Sequence, residues 1–248
     1  MTAVSLAADS LHTSYGDLTA LRTVSFVADQ GVTALVGVNG AGKSTLLRTL
    51  AGAQPPDRGE VLVNGLSLYG RGRRGALTQV ALMPQEVRFP PRMRAVEVVT
   101  YIAWMRGQPL RAARERARES LLQVDLHDVS ERPVKTLSGG MLRRLALAQA
   151  LVARPAILLL DEPSTGLDPR QRRLMVELLG SLEATVLMSS DVMEDVTELA
   201  DRVIVLDQGR VRFSGSMSEL GSHAPAGCPP DRRAEQAFLA VVAAGAAR

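Results

Sequence analysis

The chain has a single cysteine, Cys228, among 248 residues. No disulfide can close within it, which points to a reducing compartment. Lysine is almost missing too. Only Lys43 and Lys135 occur among the 29 basic residues, leaving 27 arginines. The arginines are scattered, as codon bias in a GC-rich genome would leave them, and the formal net charge is only +3. A nucleic-acid surface needs a dense basic stripe, so no nucleic-acid partner is expected. The densest cluster, Arg71-Gly-Arg73-Arg74, lies in a Gly-rich stretch and reads as a solvated turn. Aromatics are scarce, with four Phe, three Tyr and one Trp, so a place where they gather is informative. Long apolar runs are lacking as well. Those such as AILLL (156–160) are strand-length, well short of the roughly 20 apolar residues of a membrane span. The opening stretch MTAVSLAADS has no basic-then-apolar signal layout. The expectation is a cytoplasmic chain whose membrane role, if it has one, comes from a partner. There is no internal repeat and no heptad run.

What is present alternates. The short β-type runs VSLAA (4–8), VSFVA (24–28) and VTALVG (32–37) precede a helix at 45–51. EVLVNG (60–65) and TQVALMPQ (78–85) read as further strands. From about 86 to 153 the pattern is helical, with AVEVVTYIAWM and LRAARERARESLLQV as two segments. Strands return with AILLLDEP (156–163), TVLMSS (185–190) and RVIVLDQGRVRF (202–213). This alternation predicts an α/β fold with a mostly parallel sheet, interrupted by an inserted all-helical block. One domain is expected over 1–220. Residues 221–248 are expected to be a Gly/Pro-rich linker followed by a helix, RRAEQAFLAVV.

Residues 37–45 read GVNGAGKST. Gly37, Gly42, Lys43 and Ser44 match G-x-x-x-x-G-K-[ST] between an apolar strand and a helix. The glycines let the loop, through Asn39, Gly40 and Ala41, wrap a phosphate with consecutive N–H groups turned inward. Lys43 then reaches the terminal phosphates, Ser44 ligates Mg²⁺, and Thr45 opens the helix. A metal-holding carboxylate is needed on a neighbouring strand. Asp161 emerges at the C-terminal end of AILLLD, where α/β sheets place ligands. Glu162 follows it and can orient and deprotonate an attacking water, which predicts hydrolysis as well as binding. A second anion site opens the helix LSGGMLRRLALAQALV (137–152), where Leu142, Leu145, Ala146, Gln149 and Val152 recur at helical spacing. Its small-residue turn, Ser138-Gly139-Gly140, leaves backbone N–H groups bare at a helix N-terminus.

GVNGAGKST, LSGGM and LLLDEPSTGLD, in that order, resemble the ATP-binding-cassette (ABC) ATPases over residues 4–215. The resemblance implies a phosphate-loop (RecA-like) core, an antiparallel β-subdomain, the helical subdomain at about 86–153, and bound ATP with Mg²⁺. It implies that Tyr15 stacks on adenine and that Gln85, in LMPQ, senses Mg²⁺ and the attacking water. Asp168, in STGLD, matches the loop that faces a second cassette. The Ser138-Gly139-Gly140 turn would cap the γ-phosphate held by that second cassette, in a homodimer or a heterodimer.

Two departures stand out. After TVLMSS the family usually has a His, and here the residue is Asp191. Two unit charges about 4 Å apart repel by roughly 4 kcal/mol at an effective dielectric near 20. Asp191 is therefore expected to turn from the phosphate and cap the helix DVMEDVTEL, with protonation or an Arg partner as alternatives. Met141 stands where Gln is commonest. The LSGGM form, like the tail AEQAFLAVV, resembles cassettes of antibiotic and multidrug exporters that pair with separate permease chains. The expected function is an ATPase subunit, peripheral on the inner face of the cell membrane, that powers export of a drug, antibiotic or lipid-like compound. An importer cassette and a non-transport regulatory ATPase are the alternatives. The permease is expected to dock on EVRFPPRMRAVEVV (86–99), where Phe89 and the nearby Tyr101 and Trp104 gather. Trp104 filling the helical core is the competing reading.

Overall fold

The structure, a computed structural model, describes residues 4–246. Strands β1 (Leu6–Tyr15), β2 (Leu18–Ala28), β4 (Arg58–Val63) and β5 (Leu66–Ser67) form an antiparallel sheet in the order β2-β1-β4-β5. A second sheet runs β10-β9-β3-β8-β7-β6, built from β3 (Gly31–Val36), β6 (Val80–Met83), β7 (Ile157–Asp161), β8 (Thr185–Ser189), β9 (Arg202–Asp207) and β10 (Arg210–Ser216). All its pairings are parallel except the β9–β10 hairpin. The fold is α/β, as the alternation of strands and helices predicts.

The central strands are covered on both faces, which is why they read as unbroken apolar runs. Every residue of β7 is buried. Ile157 and Leu159 point to one core, while Leu158 and Leu160 point to another, following the period-two alternation of a strand. The first core lies between the two sheets and encloses helix α1 (Lys43–Leu50) through Leu46, Leu47 and Leu50. The second joins the sheet to α3 (Ala95–Met105), α4 (Leu110–Gln123), α5 (Gly139–Leu151) and α6 (Pro169–Gly180). A third, smaller core holds α7 (Met193–Leu199), α8 (Met217–Gly221) and α9 (Arg233–Ala246) against β3 and β9. In it, Ala237 and Val241 of α9 meet Val203 and Val205, so the C-terminal helix is packed on the sheet.

Two segments differ from their sequence reading, and one of the two readings of Trp104 fails. Residues 73–79 form helix α2 (Arg73–Gln79), so Arg73 and Arg74 open a helix and β6 starts only at Val80. Helix α2 buries only Ala76, so it carries no apolar stripe that a periodicity argument could detect. The stretch 86–94 is not helical. Pro90 and Pro91 lack N–H donors. The segment is instead pinned by Val134 N donating to Met93 O (2.9 Å) and Lys135 N donating to Pro91 O (3.0 Å). Helix α3 then starts where Glu97 accepts from Arg94 N at 2.8 Å. Trp104 does not fill the helical core. It is 54 % exposed beside Tyr101, with ring centroids 6.0 Å apart. Phe89 is partly buried against that core.

Candidate active site

The phosphate loop runs from the end of β3 to the first turn of α1. Two of its glycines are dictated by close neighbours. A Cβ on Gly37 would lie 2.2 Å from the Leu206 carbonyl oxygen of β9. Gly42 has φ +106°, and a Cβ there would lie 2.6 Å from the Ala20 carbonyl oxygen of β2. At these two positions the loop runs too close to β9 and β2 to carry a side chain. Gly42 offers no side-chain cap to α1, so the first N–H groups of that helix have no side-chain acceptor and face the loop. Lys43 is only 7 % exposed. Its ammonium donates to Gly37 O at 2.6 Å and pairs with the Asp191 carboxylate at 2.8 Å.

Two carboxylates stand at the C-terminal end of β7, Asp161 as its last residue and Glu162 just after it. Asp161 is 5 % exposed, and its Oδ1 accepts from Ser189 Oγ at 2.7 Å. The same hydroxyl oxygen accepts from Glu162 N at 2.9 Å. Ser189, buried at the end of β8, therefore fixes both acids from below, a role the sequence reading missed. The only signal for it is a hydroxyl at the C-terminal end of the strand TVLMS, after the apolar run VLM. Glu162 has φ +49°, a left-handed conformation that a non-glycine residue adopts at a cost of about 1–3 kcal/mol. Its Oε2 accepts from Gln85 Nε2 at 2.9 Å and from Thr165 Oγ1 at 3.2 Å. A carboxylate held in this way at a half-buried site can take a proton from water.

Tyr15, the loop residues 39–45, Gln85 and Glu162 line one cleft of about 580 Å³. Tyr15 stands 46 % exposed at its edge, with its hydroxyl donating to Gln54 Oε1. Ser44 and Thr45 lie in the first turn of α1. The other sequence-predicted residues are elsewhere, since Ser138, Gly139, Gly140 and Asp168 do not line this cleft. Ser138 caps α5 by accepting from Met141 N at 3.3 Å. Asp168 caps α6 by accepting from Gln171 N at 2.8 Å. A Cβ on Gly140 would lie 2.2 Å from Gln171 Oε1, so these two helix starts share a neighbour. A Cβ on Gly139 would meet nothing within 4 Å.

Asp191 corrects the sequence reading. It caps no helix, because α7 begins after Val192 and has no side-chain cap. It does not pair with an arginine either. Ser190 Oγ already accepts from Val192 N at 3.1 Å, which holds that turn without the carboxylate. The nearly buried Lys43 ammonium is the stronger partner, since charge-assisted bonds outweigh neutral ones where water is scarce.

The residues present suit Mg²⁺ held together with a phosphate. Among the described residues no group of three or more His, Cys, Asp or Glu could cage a metal alone. Asp161 and the Ser44 hydroxyl supply the sparse oxygen set typical of Mg²⁺ that shares its shell with water and substrate oxygens.

Known proteins resemble this chain closely. The family profile described as ABC transporter matches residues 21–165. The linearmycin resistance ATP-binding protein LnrL of Bacillus subtilis is 34 % identical over 88 % of this chain and 71 % of its own length. The daunorubicin resistance ATP-binding protein DrrA3 of Streptomyces coeruleorubidus is 35 % identical over 89 % of this chain and 71 % of its own. A solved structure described as an ATP binding subunit of an ABC transporter superposes with a TM-score of 0.82 at 25 % identity, covering 94 % of this chain and 98 % of that one.

Proposed function

The chain belongs to the ABC transporter family as an ATP-hydrolysing cassette, and from that premise we propose that it powers a separately encoded permease exporting a drug, antibiotic or lipid-like compound. The observation that carries the reading is the cleft where Lys43, Gln85 and Glu162 meet below the exposed Tyr15. Export is favoured by the resistance proteins among its relatives.

In this reading Tyr15 stacks on the adenine. The loop 37–45 wraps the phosphates with its backbone N–H groups, and Lys43 neutralises their terminal charge. Ser44 and Asp161 hold Mg²⁺, with Gln85 beside them; when bound, the ion neutralises charge on the β- and γ-phosphate oxygens. Glu162, oriented by Gln85, takes the proton of the attacking water. Ser138, Gly139 and Gly140 close over the ATP of a second cassette, and Asp168 faces that cassette. ATP then favours the closed dimer, and hydrolysis removes the preference.

No helix among the described residues is long and apolar enough to cross a membrane. We place the permease contact on 86–99 and the exposed Tyr101–Trp104 pair. The cassette would sit at the inner face of the membrane only through that contact. Co-expression with a permease of about six membrane helices from a neighbouring reading frame tests this. The cassette should move to the membrane fraction and confer resistance to the exported compound. Fractionation to the soluble pool beside every such permease would overturn it.

The Lys43–Asp191 pair yields a further expectation. A phosphate arriving at Lys43 must share the ammonium with a carboxylate or displace it. Asp191→Asn should bind ATP a few-fold more tightly, the gain being modest because Asp191 is 39 % exposed and its charge is screened by water. Asp191→His should raise turnover at saturating ATP. Calorimetry and steady-state ATPase assays measure the two. Weaker binding by Asp191→Asn, or lower turnover by a folded, ATP-bound Asp191→His, would give Asp191 a positive role.

A further inference from the structure

One guanidinium ties together the parts of the site. Arg143 lies on α5, one helical turn after Gly139. Its Nε donates to Pro163 O at 3.2 Å, and one terminal nitrogen donates to Asp161 O at 2.8 Å and to Glu162 O. The other terminal nitrogen donates to Gln85 O. Carbonyls of successive strand residues normally point to opposite sides. Here three in a row converge on one side chain, and the left-handed φ of Glu162 lies in the middle of them. The strained backbone at Glu162 and the guanidinium are thus parts of one arrangement. Burial lowers the pKa of Arg143, and the charges of Asp161 and Glu162 offset only part of that fall.

The two segments that Arg143 grips carry the Gln85–Glu162 hydrogen bond. The helix that carries Arg143 begins at the Ser138-Gly139-Gly140 turn. We propose that Arg143 is a positioning residue, registering the Glu162–Gln85 pair of one cassette to the turn that the same chain offers to a second cassette's phosphate. A displacement of α5 at that turn is passed through a rigid helix to the backbone of residues 85 and 161–163. The inference rests on the reading of Glu162 as the base. It adds that the base is held in place by the helix that serves the other site.

The test uses the full chain and three measurements: nucleotide-analogue affinity of the monomer, kcat and KM for ATP, and thermal melting. Arg143→Gln should keep analogue affinity and KM but lose about 10–100-fold in kcat, the usual cost of a misplacement near 1 Å. Arg143→Lys should not restore kcat, because a point ammonium cannot span carbonyls on two segments as the planar fork does. In a Glu162→Gln background, Arg143→Gln should cause no further loss in single-turnover rate, since residues acting as a unit are non-additive. A merely structural arginine would lower the melting temperature and act independently of Glu162. Wild-type kcat in a folded Arg143→Gln protein overturns the proposal, and so does a full second loss in the double variant. If Arg143→Gln fails to fold, Arg143→Lys carries the test, and wild-type kcat there is the overturning result. Wild-type turnover by Glu162→Gln alone would sink the assignment of the base, a failure visible without touching Arg143.

Discussion

Glu162→Gln is expected to bind ATP as the unaltered chain does and to lose about 10²–10⁴-fold in turnover, the usual contribution of a positioned general base. The geometry isolates the chemistry. The Glu162 backbone is held by Ser189 Oγ and by Arg143, and neither contact uses the carboxylate. The side chain accepts from Gln85 and Thr165 through one oxygen, and an amide oxygen can accept in its place. Only proton uptake is removed. Lys43, the loop and Asp161 are untouched, so the phosphate contacts remain. Because binding survives while hydrolysis stops, the variant should accumulate as an ATP-bound dimer, visible by gel filtration with ATP and Mg²⁺. Wild-type turnover by this variant would show that the base lies elsewhere. A variant that fails to bind nucleotide would show that Glu162 belongs to the binding contacts.

How far this architecture can be read from the sequence depends on which forces are local. The loop 37–45 is local, because a buried strand, a glycine-rich turn and a helix succeed one another within a few residues. The strand ILLLD is local for the same reason, and the α/β alternation follows from such pieces. The parallel order then gathers the ends of β3, β6 and β7 at one edge of the sheet, where Lys43, Gln85 and Glu162 meet. What escaped is set by contacts between distant segments. Asp191 reads as a helix cap because DVMEDV carries the local signal. The ammonium that takes its carboxylate belongs to α1. No local pattern singles out Ser189 or Arg143, and only the tertiary fold aims them at β7. Of the two readings of Trp104, the core one fails because α3 buries Val98, Val99 and Ala103 and leaves the indole outside. Helix α2 was hidden because its single buried residue leaves no period to detect.

Gly139→Asp is expected to leave a folded monomer that binds ATP and to lose about 10²–10³-fold in turnover, the scale seen when one preorganised anion donor is removed. The choice of position comes from the structure. Gly140 is the less clean choice, because a side chain there would push aside the Gln171 amide of the same chain. Gly139 accepts a side chain without a clash, because a Cβ there meets nothing within 4 Å. It also sits in the first turn of α5, where negative charge suits the helix dipole. Folding should be indifferent or slightly favoured, and melting should match the unaltered chain. The loss is expected because the new charge opposes a γ-phosphate held by a second cassette, and the mixing arm separates this from an effect passed along α5 within the chain. Mixing gives the decisive arm. Lys43→Ala should lose ATP binding in its own loop but keep an intact Ser138-Gly139-Gly140 turn. In a mixed dimer, the loop of the Gly139→Asp chain faces that intact turn, so one complete site re-forms while the other carries both lesions. Turnover should therefore reappear on mixing two variants that are each inactive. Unimpaired hydrolysis by Gly139→Asp, or by a strictly monomeric chain, would mean that the turn serves no second nucleotide.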